Sequence, residues 1–426
     1  ALAKYLEISR STVELAYEQL LAEGYVEAEA CRGFFVTQIE ELYQWETAKE
    51  TVAQKIIKEE NVYKYDFSPR GVDLQSFPYS VWRKLSKEIL SNDKSDLFQL
   101  GDSQGEYELR ETICRYLYQA RGVNCEPEQI VIGAGNEYLL MLLSTVLGKN
   151  RKIAFENPTY RQAYRLFENL SYDTCVVEMD RKGMCVDKLR KSGAEIAYVM
   201  PSHQYPLGIV MPIKRRMELL GWAAEEEERY IIEDDYDSEF RYKGKPIPAL
   251  QGFDREDKVI YIGTFSRSIA PSIRISYLVL PKNLLKVYNE KSRFLSSTVS
   301  RVDQLIIQQF IERGYYERHL NKMRALYKNR HDIMVNELKP LLKYCSISGE
   351  NAGVHLLLTF IEGKEEKILT QKAKEQGIKV YGLSTYDIKK KEKEQAVILL
   401  GYANMSEEKI IQAIHALTNA WKEYLE

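Results

Sequence analysis

Apolar positions recur at helical spacing near the beginning of the chain. One helix face is formed by positions spaced i, i+3, i+4, i+7 and i+8, namely Val13, Ala16, Tyr17, Leu20 and Leu21. Ser9 or Ser11 can cap the start of this predicted helix, and Gly24 can end it. A shorter helical piece over residues 2–6 precedes it, so the pattern predicts two helices joined by a turn.

Two short strands are predicted directly after these helices, over residues 25–28 and 34–37, with a bend at Arg32 and Gly33. Helix, turn, helix and β-hairpin in this order are typical of a winged helix-turn-helix, whose second helix enters the DNA major groove. The side chains expected to face DNA are those at the start of the second helix and in the wing: Arg10, Ser11, Thr12 and Arg32. A small helical interaction module is the alternative, because residues 1–40 hold three basic and seven acidic side chains, a poor balance for binding phosphates.

The remainder of the chain alternates strand and helix signals. Residues 38–65 are polar and rich in Glu and Lys, which predicts a linker with partial helix around 47–58. Strand signals begin at Gln129, Ile153, Tyr198, Tyr230 and Val259, the pattern of an α/β fold with a largely parallel sheet. Mostly helical sequence over 284–338 then leads to an α+β lobe, with strands predicted at 353–358, 378–381 and 396–401. We therefore expect a DNA-binding domain over 1–38, a linker over 39–65 and a large domain over 66–335 joined to a small lobe over 336–426.

Composition narrows the class of protein. A chain of 426 residues is too long for one core, and its 45% apolar and 29% charged residues are typical of a soluble protein. No apolar run approaches the length of a membrane span and no signal peptide opens the chain, so we expect a cytoplasmic protein without a membrane partner. The six cysteines lack CxxC pairs and the five histidines are dispersed, which argues against disulfides and a metal centre.

Polar residues follow several of the predicted strands. A glycine turn at 133–137 opens a helix, whose free backbone N–H groups could face an anion. Thr264, Ser266 and Arg274 follow another strand and could cradle a phosphate, although an ordinary surface loop would have the same composition. A glycine turn between strand and helix is also common for packing reasons alone, so neither segment by itself identifies a ligand.

Two further strand ends carry an aromatic residue and a run of acids. Tyr160 follows a proline turn and could stack on a flat ring. The acidic run 233–237 cannot lie unpaired in a sheet core, so at least one carboxylate should find a cationic partner. A divalent metal is disfavoured, because no matching acidic segment exists elsewhere. A phosphorylated aromatic cation would explain all four strand ends, and pyridoxal phosphate fits this description.

A series of motifs resembles one protein family along nearly the whole chain. They include Glu156-Asn157-Pro158-Thr159-Tyr160 and Gly263-Thr264-Phe265-Ser266, and the stretches 107–111, 121–123, 201–204, 233–242, 316–320 and 400–402. The motifs resemble the aminotransferase-like domain of MocR-type (GabR-like) regulators, which are fold type I pyridoxal-phosphate proteins fused to a GntR winged helix. The stretches 2–13, 16–20, 23–25 and 33–36 resemble that winged helix from its second helix onward, so the domain is expected to be truncated at its amino end.

The resemblance implies a role for each matching residue. Asp234 would pair with the pyridine nitrogen, Tyr236 would bond the phenolic oxygen and Tyr160 would stack on the ring. The phosphate would be held by Gly135, Asn136, Thr264, Ser266 and Arg274. The resemblance also implies a homodimer that binds a DNA operator and a small-molecule effector.

One position departs from the family pattern. Where the family has the lysine that forms a Schiff base with the cofactor, this sequence has Arg267. A guanidinium cannot condense with an aldehyde as an amine does, so transaminase activity is not expected. The pocket would then bind pyridoxal phosphate, or its adduct with an amino compound, without a covalent bond to the protein. Alternatively, it has drifted to another anionic effector that Arg267 contacts, or Arg267 is not the natural residue.

Three functions therefore remain open from the sequence. The first is an effector-responsive transcription regulator, and the second is an aminotransferase with an accessory amino-terminal domain. The third is a scaffold with a degenerate pocket. A carboxylate-bearing effector is in doubt, because Arg161 and Arg165 could simply face solvent and the segment 382–386 contains no arginine.

Overall fold

The computed structural model describes residues 2–37, 63–91, 95–242, 247–349, 352–389 and 395–426. The chain divides into two units, Ala1–Asn61 and Val62–Glu426. The predicted partial helix around 47–58, and most of the predicted linker, lie outside the described residues. Among the helices that are described, none is both long enough and apolar enough to cross a membrane.

The first unit has the predicted order of two helices and a hairpin. Its elements are α1 (Leu2–Tyr5), α2 (Arg10–Ala22), β1 (Val26–Glu29) and β2 (Gly33–Val36). Ser9 is the cap of α2, because its hydroxyl accepts a hydrogen bond from the backbone N–H of Thr12 at 3.0 Å. Both strands lie one residue away from their predicted bounds, and they pair in antiparallel register.

The second unit begins with a seven-stranded α/β domain. Its elements are β3 (Tyr65–Asp66), α3 (Tyr79–Leu90), α4 (Tyr107–Arg121), β4 (Ile130–Gly133), α5 (Asn136–Leu147), β5 (Lys152–Glu156), α6 (Arg161–Asn169), β6 (Asp173–Val177), β7 (Met179–Asp180), β8 (Gly183–Met184), α7 (Val186–Lys191), β9 (Ile196–Val199), α8 (Ile213–Ala224), β10 (Tyr230–Asp235), β11 (Val259–Thr264), β12 (Ser276–Val279), α9 (Lys282–Lys291), α10 (Arg301–Glu312) and α11 (Tyr315–Glu337).

The large sheet has the strand order β4-β12-β11-β10-β9-β5-β6. Strand β12 runs antiparallel to both neighbours, and the other neighbouring pairs are parallel. All five strands predicted from the sequence lie in this sheet, and β6 and β12 are the two that were not predicted. Because six strands run in one direction, the carboxyl ends of β4, β5, β9, β10 and β11 meet at one edge, where α/β folds bind ligands.

Both faces of this sheet are buried. Along β11, Ile260 and Ile262 point into the core shared with Leu139 of α5. Tyr261, between them, points into the opposite core beside Leu109 of α4. This alternation follows from the two-residue period of a strand, and it explains why the strand sequence is apolar throughout.

The small lobe is a four-stranded antiparallel sheet covered by helices. Its elements are β13 (Cys345–Ser348), β14 (His355–Phe360), α12 (Glu366–Glu375), β15 (Ile378–Lys379), β16 (Tyr381–Gly382), β17 (Val397–Gly401) and α13 (Glu407–Leu425). The sheet order is β13-β14-β17-β16. The stretch 378–381, predicted as a strand, is instead two short strands, because β15 pairs with β3 and β16 pairs with β17. Tyr65 and Phe67, at the start of the second unit, are buried in this lobe's core.

Candidate functional site

A cavity of about 310 Å³ opens at the carboxyl edge of the large sheet. Its lining includes eight of the nine residues that the sequence assigns to a cofactor: Asn136, Tyr160, Asp234, Tyr236, Thr264, Ser266, Arg267 and Arg274. The ninth, Gly135, lies directly against Arg274. Residues from four separate strand ends are therefore brought together by the parallel arrangement of the sheet.

The carboxylates of the acidic run at the end of β10 have different partners. Asp235 forms a buried ion pair with Arg121, with Oδ2 and Nε 2.8 Å apart. Glu233 accepts hydrogen bonds from two backbone N–H groups, those of Leu250 and Gln251. The sequence-based expectation that one of these acids has a cationic partner is confirmed by the ion pair with Arg121.

Asp234 is the acid of this run that lines the cavity. Its side chain accepts a hydrogen bond from the Tyr198 hydroxyl and lies 3.5 Å from the amide nitrogen of Asn136. No Lys, Arg or His pairs with it among the described residues. Burial raises the pKa of Asp234 to about 7, so its ionised form is unfavourable unless a positive charge lies beside it.

The turn at Gly135 and the side chain of Arg274 form a cradle for an anion, which we call the anion cradle. The guanidinium of Arg274 donates to Glu137 at 2.6 Å and passes beside Gly135. Gly135 has φ +92°, a conformation that favours glycine, and a Cβ there would lie 2.1 Å from the Arg274 Nη2, so a larger residue would displace that guanidinium. The backbone N–H groups at the start of α5 and the guanidinium therefore face the same space.

Two polar atoms of the cradle lack hydrogen-bond partners. The Ser266 hydroxyl oxygen and the Asn136 amide oxygen are buried and unpaired among the described residues. In the same loop, Thr264 Oγ1 is occupied, because it accepts from the Ser266 N–H at 3.1 Å and from the Ser276 hydroxyl at 2.8 Å. An unpaired buried polar atom is unfavourable, so a ligand that bonds these atoms would be stabilised.

Tyr160 and Tyr236 line the same space, and a histidine, His203, contacts the Tyr236 hydroxyl. Tyr160 caps α6 and its hydroxyl lies 3.5 Å from Glu137. His203 Nδ1 lies 3.0 Å from both oxygens of Asp237 and 3.0 Å from the hydroxyl of Tyr236. An Nδ1–H that donates to Asp237 leaves the Tyr236 hydroxyl as a donor for another acceptor. Burial raises the pKa of Tyr236 well above the usual tyrosine value, which keeps this hydroxyl protonated.

Arg267 is half-buried and contacts backbone carbonyls. Its Nη2 donates to the Pro69 oxygen at 2.7 Å, and its Nη1 lies 3.4 Å from the Gly71 oxygen. No lysine is found among the described residues that line the cavity. Lys258 and Lys282 contact residues elsewhere, Glu226 and Glu126 respectively.

Sequence reasoning missed several lining residues, of which Arg70 is the most notable. Arg70 and Val72 come from the segment after β3, and Tyr205 follows β9. The sequence around Arg70 carries no motif that marks it, because its position depends on how the start of the second unit packs against the small lobe. Arg161, by contrast, donates to the Thr385 carbonyl outside the cavity lining.

The four residues expected to face DNA are exposed. Arg10 pairs with Glu14 at 2.8 Å and Arg32 pairs with Glu29 at 2.7 Å. The hydroxyls of Ser11 and Thr12 each lie 2.7 Å from the Ser9 hydroxyl, so both take part in the helix cap. Within the described ranges, no group of three or more His, Cys, Asp or Glu side chains is placed to hold a metal ion.

Comparison with known proteins relates the chain to transcriptional regulators and to aminotransferases. The family model described as aminotransferase class I and II matches residues 70–417. The chain is 42% identical over 423 residues to the HTH-type transcriptional regulator YdeL of Bacillus subtilis, which covers 99% of this chain and 90% of YdeL. It is 30% identical over 387 residues to the HTH-type pyridoxine biosynthesis transcriptional regulator PdxR of Corynebacterium glutamicum, covering 91% of this chain and 82% of PdxR.

A solved structure supports the fold assignment. An archaeal alanine:glyoxylate aminotransferase superimposes with a TM-score of 0.75 at 26% identity, covering 84% of this chain and 91% of that chain. The helices and hairpin of the first unit, the topology of the large sheet and the similarity to known regulators all support one family assignment. The chain belongs to the MocR-type family of HTH transcriptional regulators, with a fold type I aminotransferase class I and II domain over residues 70–417.

Proposed function

We propose that this regulator senses a vitamin B6 phosphate, of which pyridoxal phosphate is the representative, and binds it without a covalent bond. The proposal rests on one observation: the same cavity contains a buried carboxylate that could bind a cation and a cradle that could bind an anion. Asp234 is a buried carboxylate that no cation of the described residues pairs with, and the turn at Gly135 with Arg274 is a cradle for an anion. A protonated pyridine ring that carries a phosphate has the complementary charges.

The other residues of the cavity fit the same group. The Ser266 hydroxyl and the start of α5 would hold the phosphate, Tyr160 would cover the ring and Tyr236 would donate to the phenolic oxygen. When bound, pyridoxal phosphate supplies an aldehyde and an electron-withdrawing ring. The name of the relative PdxR refers to pyridoxine biosynthesis, which supports a ligand of this class.

The protein is not proposed to be an aminotransferase. Amino-group transfer needs an amine that bonds the cofactor aldehyde and moves a proton, and Arg267 stands at the position that the family resemblance assigns to that lysine. The Arg267 guanidinium donates to two carbonyl oxygens, and no lysine from the described part of the chain lines the cavity. Binding of the ligand would therefore act as a signal.

DNA binding is proposed for the first unit, which resembles a GntR winged helix. The start of α2, with Arg10, Ser11 and Thr12, would enter the major groove of an operator, and Arg32 would reach it from the wing. Both arginines are paired with glutamates, so a DNA phosphate must compete with Glu14 and Glu29. We expect a homodimer in the cytoplasm that binds a repeated operator, with the ligand changing the spacing of the two DNA-binding units.

Ligand binding can be tested by titration calorimetry of the whole chain. Pyridoxal phosphate, 4-deoxypyridoxine 5′-phosphate and unphosphorylated pyridoxal would be compared. Non-covalent binding predicts that the deoxy compound, which has no aldehyde, binds within about tenfold of pyridoxal phosphate, a difference of roughly 1.4 kcal/mol. Absence of binding by both phosphates, or equally tight binding of unphosphorylated pyridoxal, would contradict the proposal.

DNA binding can be tested by gel shift with the region upstream of the protein's own gene. The expected result is a sequence-selective shift that is lost in Arg10→Ala and whose midpoint changes when the vitamin B6 phosphate is added. Arg255→Ala is the matched control, because Arg255 is an exposed arginine of the second unit. Equal shifts with unrelated DNA of the same length would contradict sequence-specific binding.

A further inference from the structure

A second cavity, of about 440 Å³, lies between α4, α11 and the segment that follows β10, and we call it the α4–α11 cavity. Among the described residues, none lines both this cavity and the one at the carboxyl edge of the large sheet. The family resemblance assigns no role to any residue of its lining. A ligand of the α4–α11 cavity would therefore be bound by residues other than those assigned to the cofactor.

Two side chains of opposite charge, Glu239 and Arg241, line the α4–α11 cavity. The Oε2 of Glu239 is buried and has no hydrogen-bond partner among the described residues, and its Oε1 accepts from the Tyr116 hydroxyl at 3.4 Å. Within the described ranges, the buried Nε and Nη1 of Arg241 also lack a partner. A charged group withdrawn from water without a partner is unfavourable, so a ligand that bonds both groups would be stabilised in this cavity.

The backbone fixes the positions from which these two charges extend. The Glu239 carbonyl oxygen accepts a hydrogen bond from Arg324 Nε at 2.8 Å, and Arg241 forms an isolated antiparallel β-bridge with Ala352. Glu239 and Arg241 are separated by one residue and line the same cavity, yet no ion pair joins them in the described part of the chain. This arrangement suits a ligand that carries a positive and a negative charge at its two ends.

The other charged side chains of the described lining are already paired. Arg324 Nη1 lies 3.2 Å from the Glu317 carboxylate, and Arg121 forms the buried ion pair with Asp235. Burial raises the pKa of Glu239 to about 7, with repulsion from Asp235 as the next cause, so an ammonium group beside it would favour its ionised form. Of the charges in the described lining, this carboxylate and the unpaired guanidinium are therefore the two that can bind a ligand.

We propose that the α4–α11 cavity binds a small zwitterionic amino acid, with its ammonium group on Glu239 and its carboxylate on Arg241. An ammonium group has three N–H donors for carboxylate oxygens, and a guanidinium presents a planar fork that matches a carboxylate. Gln119, in the same lining, has both a donor and an acceptor for either end of the ligand. The inference goes beyond the proposed function and does not depend on it, because no vitamin B6 compound takes part.

Binding can be tested with probes that carry both charges or only one of them. Ligand-detected NMR titration of the whole chain measures the affinities of glycine, 3-aminopropanoate and 5-aminopentanoate, which differ in the distance between the two charges. The tightest of these is then compared with analogues that lack one charge, such as pentanoate and pentylamine for 5-aminopentanoate. We expect each analogue to bind about tenfold more weakly, since each loses one hydrogen-bonded charge contact.

Two variants assign the two contacts. In Arg241→Gln, the preference for the amino acid over the amine is expected to fall from about tenfold to about one- to twofold, while its preference over the acid remains. Glu239→Gln is expected to show the reverse. Arg255→Gln, which removes an exposed charge elsewhere, is the control and should change neither preference.

Other results would overturn the proposal. One is that none of the three amino acids binds to the unaltered protein. Another is that both variants lower all affinities together and leave the two preferences the same, which indicates a structural loss. Displacement of the amino acid by 4-deoxypyridoxine 5′-phosphate would place it in the cavity at the carboxyl edge of the large sheet instead. Each of these results leaves the proposed function standing, because that function is tested by the binding of the vitamin B6 phosphate itself.

Discussion

Arg267 Nη2 lies 2.7 Å from the carbonyl oxygen of Pro69, and this contact joins the loop after β11 to the segment that begins the second unit. The same guanidinium reaches the Gly71 oxygen. The position that the family resemblance assigns to a reactive amine is therefore used to hold the backbone around Arg70. A lysine has its donors on a single nitrogen, so it would not reproduce both contacts with the same geometry.

Arg267→Lys is expected to restore a covalent site for the ligand. The variant, incubated with pyridoxal phosphate and treated with borohydride, should gain the mass of one phosphopyridoxyl group at residue 267. Peptide mapping of the unaltered protein, treated identically, is the control, and it should show no single modified lysine. A stoichiometric adduct at one lysine of the unaltered protein would mean that another amine reaches the cavity.

Asp234→Asn is expected to change stability with pH in a defined direction. Because burial raises the pKa of Asp234 to about 7, its favourable contribution is complete below the usual carboxyl range and is lost as the pH rises through about 7. Without ligand, the variant should therefore be more stable than the unaltered protein at about pH 8, by roughly 1 to 3 kcal/mol, and the difference should shrink towards about pH 5. Urea unfolding at several pH values measures this.

The same variant should bind the vitamin B6 phosphate more weakly. An amide cannot neutralise a protonated pyridine nitrogen, so we expect an affinity loss of about tenfold or more. Improved stability together with weaker binding would separate a ligand role from a folding role. A variant that is less stable at every pH and binds normally would contradict the assignment of Asp234.

Gly135→Ala is expected to disrupt the phosphate cradle. The new Cβ would lie 2.1 Å from Arg274 Nη2, and the backbone has φ +92°, so the guanidinium must move. We expect the affinity for the phosphate ligand to fall by about tenfold or more. Gly148→Ala is the matched control, because Gly148 flanks the other end of α5 with φ +80° and has nothing within 4 Å of a Cβ. Equal affinity losses in both variants would point to backbone strain alone.

Arg121→Ala is expected to destabilise the fold strongly. Arg121 and Asp235 are almost fully buried and pair at 2.8 Å, and Arg121 also donates to Ser202 at 2.7 Å. Removal of one partner leaves a buried charge, which costs about 3 to 5 kcal/mol in the free energy of unfolding. Arg115→Ala, which breaks the half-exposed pair with Glu312, should cost less than about 1 kcal/mol. Chemical denaturation of both variants checks the contrast.

Much of the fold could be predicted from local patterns. The helix stripe of α2, its cap at Ser9 and five of the seven strands of the large sheet follow from periodicity and apolar runs. Strand β12 was missed, although the short run around Tyr277 and Leu278 is apolar like the strands that were predicted. Its antiparallel direction was also unpredictable, since direction depends on which strands become neighbours.

The candidate site, like the fold, could be predicted only in part. Asp234, Tyr236 and the cradle residues could be named because the family resemblance assigns them, at strand ends that the sequence also predicts. The acidic run alone does not show which acid faces the cavity; the family resemblance assigns Asp234, and in the structure Asp235 pairs with Arg121 instead. The close approach of Arg274 to Gly135 likewise could not be predicted, because the two residues lie far apart in sequence.

The sequence by itself determined the family resemblance, the order of the domains and the replacement of the expected lysine by Arg267. These are properties of residue identity and short-range spacing. Only the tertiary structure decided what Arg267 contacts and that Arg70 stands beside it, because both depend on packing between the segment after β3 and the loop after β11. The charge balance of the cavity is likewise a property of side chains that the fold assembles from distant parts of the chain.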